Sequence, residues 1–234
     1  MSELIVHHLP SAWGLPSVSP FCLKLDTYLR IVGLPFTAVI DKVPFGAPKK
    51  KLPYIEHSGR RIGDSTLAID YLEGEFGVDG NAGLSAGQRA VALALQRLLE
   101  ENLYWVMVYD RWMVDANWQF FRDIVLGGMP LPVRRLAGPA IRRGIGRRIE
   151  GHGLGVHSER EIHAIGIRDL GAVADFLGDE PFLMGDRATT VDAAAYGLLA
   201  NILLTPVASP VKEAGLARDN LVSYLQRVRD SYFH

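Results

Sequence analysis

Along the first eighty residues short β-like runs alternate with stretches whose apolar positions recur at helical spacing. "ELIVHH" (3–8) reads as a strand, and "PFCLKLDTYLRIVG" (20–33) as a helix stopped by Gly33. "FTAVI" (36–40) is a second strand and "LPYIEH" (52–57) a third. "SGRRI" turns at Gly59 into a short fourth, and "DSTLAIDYLEGEFG" (64–77) is a helix with an acidic start and a glycine stop. The order is strand-helix-strand, then strand-strand-helix. "DKVPFGAPKKK", between the second and third strands, has little helical period, so a crossover helix there is expected to be short or missing.

The pattern changes at "GVDGNAGLSAGQ" (77–88), whose glycines and small polar residues mark a linker. Beyond it the chain reads as helices. Residues 88–121 place Leu95, Leu98, Leu99, Tyr104, Trp105 and Val108 at helical spacing. Residues 158–178 open on Ser158 with Glu161 three positions on, a capping box. "TTVDAAAYGLLANILL" (189–204) is apolar all round and reads as a buried helix. "DNLVSYLQRVRDSYF" (219–233) follows it. Two domains are expected, an α/β unit over 1–78 and an all-α unit over 87–234.

Composition narrows the picture without changing it. Hydrophobic residues are 48% and charged residues 22%, with a net charge of −1, so a globular chain is expected and no global field argues for nucleic acid. The single cysteine excludes an internal disulfide and suits a reducing compartment. The N-terminus has no basic stretch leading into an apolar run, and a cytoplasmic location is expected.

Candidate chemistry concentrates in "KKLPYIEHSGRRIGDSTLAIDYL" (50–72). A proline at the start of a strand donates no backbone hydrogen bond, and a cis Leu52–Pro53 peptide would turn the preceding backbone toward a ligand. Asp64-Ser65 then opens a helix, whose free N–H groups and dipole suit a carboxylate. Each feature has an ordinary reading, an edge proline and an N-cap; together they form a cradle. "SPFC" (19–22) opens the first helix, with Ser19 as N-cap before Pro20. Cys22 lies one turn in, where burial raises rather than lowers a thiol pKa, and it reads as a core residue.

In this order, strand-helix-strand, Leu-Pro, strand-strand, Asp-Ser-helix and a helical half, the chain resembles glutathione S-transferases over nearly its whole length. "FLMGDRATTVDAAAYGLL" (182–199) is similar to their G-D-x-x-T-x-x-D segment, with Thr189 and Asp192 in a structural cap. The resemblance implies a thioredoxin-like domain joined to a helical domain, glutathione as co-substrate, no metal and a homodimer. It places Ser19 at the glutathione sulfur as the catalytic residue. Leu52 and Pro53 would meet the cysteinyl backbone, Asp64 and Ser65 the γ-glutamyl end, and Lys51, or Lys49 or Lys50, the glycyl carboxylate. Tyr104, Trp105 and Trp112 would wall the site of a small electrophile, although aromatics at this spacing also serve as core. The long approach "LPSAWGLPSVSPFC" more narrowly resembles the failed axon connections branch, related to metaxins.

That narrower likeness keeps a second function open, a non-catalytic adaptor that binds a membrane surface or a protein. "IVLGGMPLPVRRLAGPAIRRGIGRRI" (124–149) supports it, with six arginines from Arg134 to Arg148 and no acid; a solvated helix with paired arginines is the ordinary alternative. No aromatic residue interleaves the arginines, which argues against nucleic acid. A thiol-disulfide enzyme acting through Cys22 lacks a second cysteine. His152, His157 and His163 are spaced by glycines and offer no defined metal geometry.

Overall fold

A computed structural model describes residues 3–41, 46–127 and 130–233. Its sheet has four strands, β1 (Ile5–His8), β2 (Thr37–Ile40), β3 (Tyr54–His57) and β4 (Arg60–Gly63), in the order β2-β1-β3-β4. β1 and β2 are parallel and the other two pairs antiparallel. Helices α1 (Pro20–Ile31) and α2 (Ser65–Phe76) pack on it through Leu25, Tyr28, Leu29, Ile69 and Leu72, which meet Leu4, Val6 and Ile55. Gly33 and Gly77 both have positive φ just past their helices, which is why each run stops there. Lys42 to Phe45, in the second-to-third strand connection, lie outside the described residues.

The helical half runs α3 (Ala86–Arg97), a π-helical stretch (Leu98–Leu103), α4 (Tyr104–Trp112), α5 (Asp115–Leu126), α6 (Leu131–His152), α7 (Glu159–Leu177), α8 (Thr190–Leu203), α9 (Pro210–Leu216) and α10 (Asp219–Tyr232). The segment expected to be helical from 88 to 121 is broken at Val114, whose backbone is extended, so α5 leaves α4 as a separate helix. The arginine-rich stretch is mostly the 22-residue α6, with Pro139 inside it. The short α9 carries too little period to be read from sequence. Ser158 and Glu161 cap α7 reciprocally. Asp192 Oδ2 accepts from the Thr189 N–H at 2.8 Å and from its hydroxyl at 2.9 Å, and Asp192 Oδ1 accepts from the Leu183 N–H at 2.9 Å. That carboxyl is fully buried, and burial raises its pKa against these bonds.

The two halves meet along α1 and α8. A Cβ on Gly197 would lie 2.5 Å from the Pro20 carbonyl oxygen and 2.9 Å from the Lys24 nitrogen, so only glycine lets the backbones approach this closely. α1 is therefore covered by the sheet on one side and α8 on the other. Every residue from Cys22 to Leu29 is buried, including Lys24.

Candidate functional site

The antiparallel register converges the candidate residues. His7 pairs with Tyr54, and Tyr54 with Gly63. The end of β1, the start of β3 and the end of β4 thus lie at one edge of the sheet. From there the chain leads to Ser19, arrives from Pro53 and departs through Asp64 and Ser65.

Ser19 caps α1 from an extended backbone. Its Oγ accepts from the Cys22 N–H at 3.3 Å, and its own N–H donates to Ser17 Oγ at 3.3 Å. Ser17 in turn donates to the Leu9 carbonyl at 3.0 Å. Ser19 is 9% exposed. Its oxygen accepts within the cap, and its hydroxyl also lies within hydrogen-bonding reach of the adjacent thiol. The adjacent Cys22 is 1% exposed, and burial pushes its thiol up to about 11, only partly offset by hydrogen bonding with Ser19, Leu9 and Ser17. It is a protonated core thiol at neutral pH.

The Leu52–Pro53 peptide is cis. The Asp64 N–H donates to the Pro53 carbonyl at 3.3 Å, joining the strand start to the helix start. Asp64 has φ +89°, a conformation that L side chains rarely adopt, and its Oδ1 accepts from the Thr66 and Leu67 N–H groups at 2.9 and 3.2 Å. It is exposed and Ser65 is buried beneath it. The Ser65 hydroxyl makes no hydrogen bond among the described residues. Lys49, Lys50 and Lys51 are exposed on the approach to β3, with Lys50 left-handed at φ +53°.

The three aromatic candidates separate. Tyr104 packs against Phe21, two residues past Ser19, with ring centroids 4.9 Å apart. Trp105 stacks on His152 at 5.0 Å, and Trp112 on Trp118 at 5.0 Å with Phe121 at 5.2 Å. Tyr104 thus adjoins the first turn of α1, while Trp105 and Trp112 spend their faces inside the helical half. His163 donates to or accepts from Asp110 at 2.8 Å, away from His152. Among the described residues no group of three His, Cys, Asp or Glu side chains could hold a metal ion.

Two polar clusters at the site escaped the sequence reading. Lys24 Nζ donates to Glu100 Oε1 at 2.5 Å and to Thr66 Oγ1 at 2.8 Å, and Gln96 Nε2 donates to Glu100 Oε2 at 2.9 Å. The π-helical stretch carries Glu100 to this buried position, beside the first turn of α2. Arg111, fully buried, donates to the Val18 carbonyl at 2.8 Å and to the Asn201 carbonyl at 2.6 Å and Oδ1 at 2.8 Å. The helical half thereby holds the carbonyl immediately before Ser19. The only outward sign was a charged residue inside each apolar run.

A family model for the glutathione S-transferase N-terminal domain matches residues 20–117, and one for the C-terminal domain matches 166–228. The isoprene-epoxide glutathione S-transferase of Rhodococcus sp. (strain AD45) is 37% identical over 98% of this chain and 99% of its own. Failed axon connections of Drosophila melanogaster is 33% identical over 94% of this chain, which spans 55% of that protein. Metaxin-1 of Macaca fascicularis is 29% identical over 94% of this chain and 72% of its own. A glutathione transferase of Phanerochaete chrysosporium superposes with a TM-score of 0.67 at 15% identity, covering 99% of this chain and 98% of its own, and shows the shared fold. The chain belongs to the glutathione S-transferase family, on the side that includes failed axon connections and the metaxins.

Proposed function

We propose that this chain binds glutathione at the β1–β3–β4 edge and conjugates it to a small electrophile. The observation that carries this reading is the pairing of cis Leu52–Pro53 with Ser65 at the start of α2, joined by the Asp64–Pro53 hydrogen bond. The free Leu52 backbone suits the cysteinyl amide, and the α2 N-terminus with the Ser65 hydroxyl suits the γ-glutamyl carboxylate. Asp64 keeps Oδ2 for the ammonium, and Lys51 is the cation for the glycyl carboxylate. Ser19 then donates to the glutathione sulfur, favours the thiolate and lowers its pKa; glutathione itself is the nucleophile. The electrophile sits beside Phe21 and Tyr104. Similarity to the isoprene-epoxide enzyme makes a small epoxide the first electrophile to assay. The protein acts in the cytoplasm as a homodimer, for which exposed Leu67, Val91 and Leu93 on α2 and α3 supply apolar surface.

Calorimetric titration with glutathione tests the cradle. Binding to the parent protein that is lost in Ser65→Ala supports it, and no binding at millimolar glutathione overturns it. Epoxide conjugation that persists undiminished in Ser19→Ala would remove Ser19 from the chemistry.

A second reading is an adaptor without catalysis, supported by α6, where Leu136 is 80% exposed among exposed arginines, and by relatives whose names state no reaction. Among the described residues no helix is long and apolar enough to cross a membrane, and the surface offered for this contact is the basic face of α6. Salt-sensitive sedimentation with anionic vesicles tests it.

A further inference from the structure

Arg111 is fully buried, yet its Nε–H has no acceptor among the described residues. Its other two nitrogens are committed, Nη1 to the Val18 carbonyl and Nη2 to the Asn201 carbonyl and Oδ1. A buried charged donor without a partner is costly, and each one in a folded core calls for an explanation.

The explanation lies beside it. A void of about 10 Å³ sits between α4, α8 and the start of α9, about the room that one water molecule needs. Ile202 and Val207 belong to its apolar lining, while Asp110, Arg111, Asn201 and Ser209 are its polar members. A space so small and so polar suits water and excludes a larger ligand. Asp110 Oδ1 bonds His163 Nε2 of α7 at 2.8 Å, and the Ser209 hydroxyl approaches the same carboxyl. Burial pushes the Asp110 pKa up against those bonds, so a further donor stabilises its charged form.

We propose that the void holds one ordered water, which accepts from Arg111 Nε–H and donates to the Asp110 carboxylate, and that Asp110 is thereby a positioning residue for Ser19. All three nitrogens of the guanidinium are then held, and His163 holds Asp110 in turn. The same guanidinium fixes the Val18 carbonyl, and Asn201, bonded to it, donates to the Ser17 carbonyl at 3.4 Å. The two carbonyls before Ser19 are thus set from the helical half. The consequence for turnover rests on the conjugation proposed above; the consequence for the Ser19 backbone does not.

Crystallography and amide exchange on the full chain, without glutathione, test the relay. The expected density is a single water about 2.7–3.2 Å from Arg111 Nε and from an Asp110 oxygen. Val207→Ile fills the void with every polar group in place and expels the water. The Ser19 N–H, which donates to Ser17 Oγ, then exchanges at least about tenfold faster, while exchange in α8 and α10 is unchanged. Asp110→Leu does the same, and Asp110→Asn, which keeps an acceptor for the water, restores the parent rate. With glutathione and an epoxide, kcat falls at least about tenfold in Val207→Ile while KM moves less than about twofold. An absence of density in the void overturns the proposal. So does Ser19 exchange that is unchanged in Val207→Ile and Asp110→Leu, or faster exchange spread over the whole chain. A parent protein that fails to bind glutathione removes the conjugation and leaves density and exchange to decide the relay.

Discussion

The ammonium of Lys24 and the carboxylate of Glu100 meet 2.5 Å apart across the junction of the two halves, with side chains 1% and 8% exposed. A pair this well covered gains little over an apolar replacement, yet removing Glu100 strands the Lys24 charge, and removing Lys24 leaves Glu100 with the more distant Arg97 guanidinium, at 3.8 Å, as its countercharge. Glu100→Gln and Lys24→Met are each expected to cost about 3–5 kcal/mol in urea unfolding, and Lys24→Met/Glu100→Leu far less than the sum of its parts. Because Lys24 also holds Thr66, next to Ser65, the single variants should weaken glutathione binding as well. Additive losses in the double variant would remove the pair as a unit.

Arg111 ties the loop before Ser19 to α8 by bonding the Val18 and Asn201 carbonyls. Burial lowers its pKa to about 10, so it stays charged at neutral pH, and the Phe121 ring lies 5.2 Å from its guanidinium carbon. Arg111→Lys keeps the charge but not the fork that reaches both carbonyls. Thermal unfolding is expected to show a loss of about 2–3 kcal/mol, from unpaired buried acceptors. If Ser19 serves the thiolate, kcat should also fall more than KM rises.

What the chain reveals in advance is what it encodes locally. Gly33 and Gly77 as stops, Ser158 with Glu161, Thr189 with Asp192, and Pro53 at a strand start each act within a few residues, so spacing alone exposes them. Lys24 and Glu100 are 76 residues apart, and Arg111 and Val18 are 93 apart, distances at which periodicity says nothing about pairing. The break between α4 and α5 was hidden for another reason: the apolar and aromatic spacing continues past Val114 while the chain changes direction. Pro139 and four interleaved glycines, all poor helix formers, likewise obscured the 22-residue α6.

Asp64 combines a useful side chain with an unfavourable backbone. Its carboxylate caps α2, while φ +89° favours glycine. Asp64→Ala loses the cap and keeps the strained conformation, whereas Asp64→Gly loses the cap and relieves it. The alanine variant should therefore be the less stable by about 1 kcal/mol in chemical denaturation. Both should bind glutathione more weakly, since Asp64 Oδ2 is the proposed partner of the ammonium. Equal stabilities would mean that the backbone conformation carries no cost.

Cys22 offers a test in alkali. Burial raises its folded pKa from 9.0 to about 11, so the thiol stays protonated in the fold while the unfolded chain ionises first. Between these values the unfolded state binds fewer protons than the native state, so stability must fall as pH rises. The stabilising contribution is complete below pH 9 and is lost through about pH 11, at up to about 1.4 kcal/mol per pH unit. Other buried groups titrate in the same range, notably Tyr196, pushed up to about 12, so the comparison is with Cys22→Ala. Urea unfolding of the parent protein should steepen its decline above pH 9 relative to the variant. At pH 8 the native thiol should resist iodoacetamide and react only after denaturation. Rapid alkylation of the folded protein, with parallel alkaline curves for parent and variant, would show instead a reactive thiol one turn from Ser19.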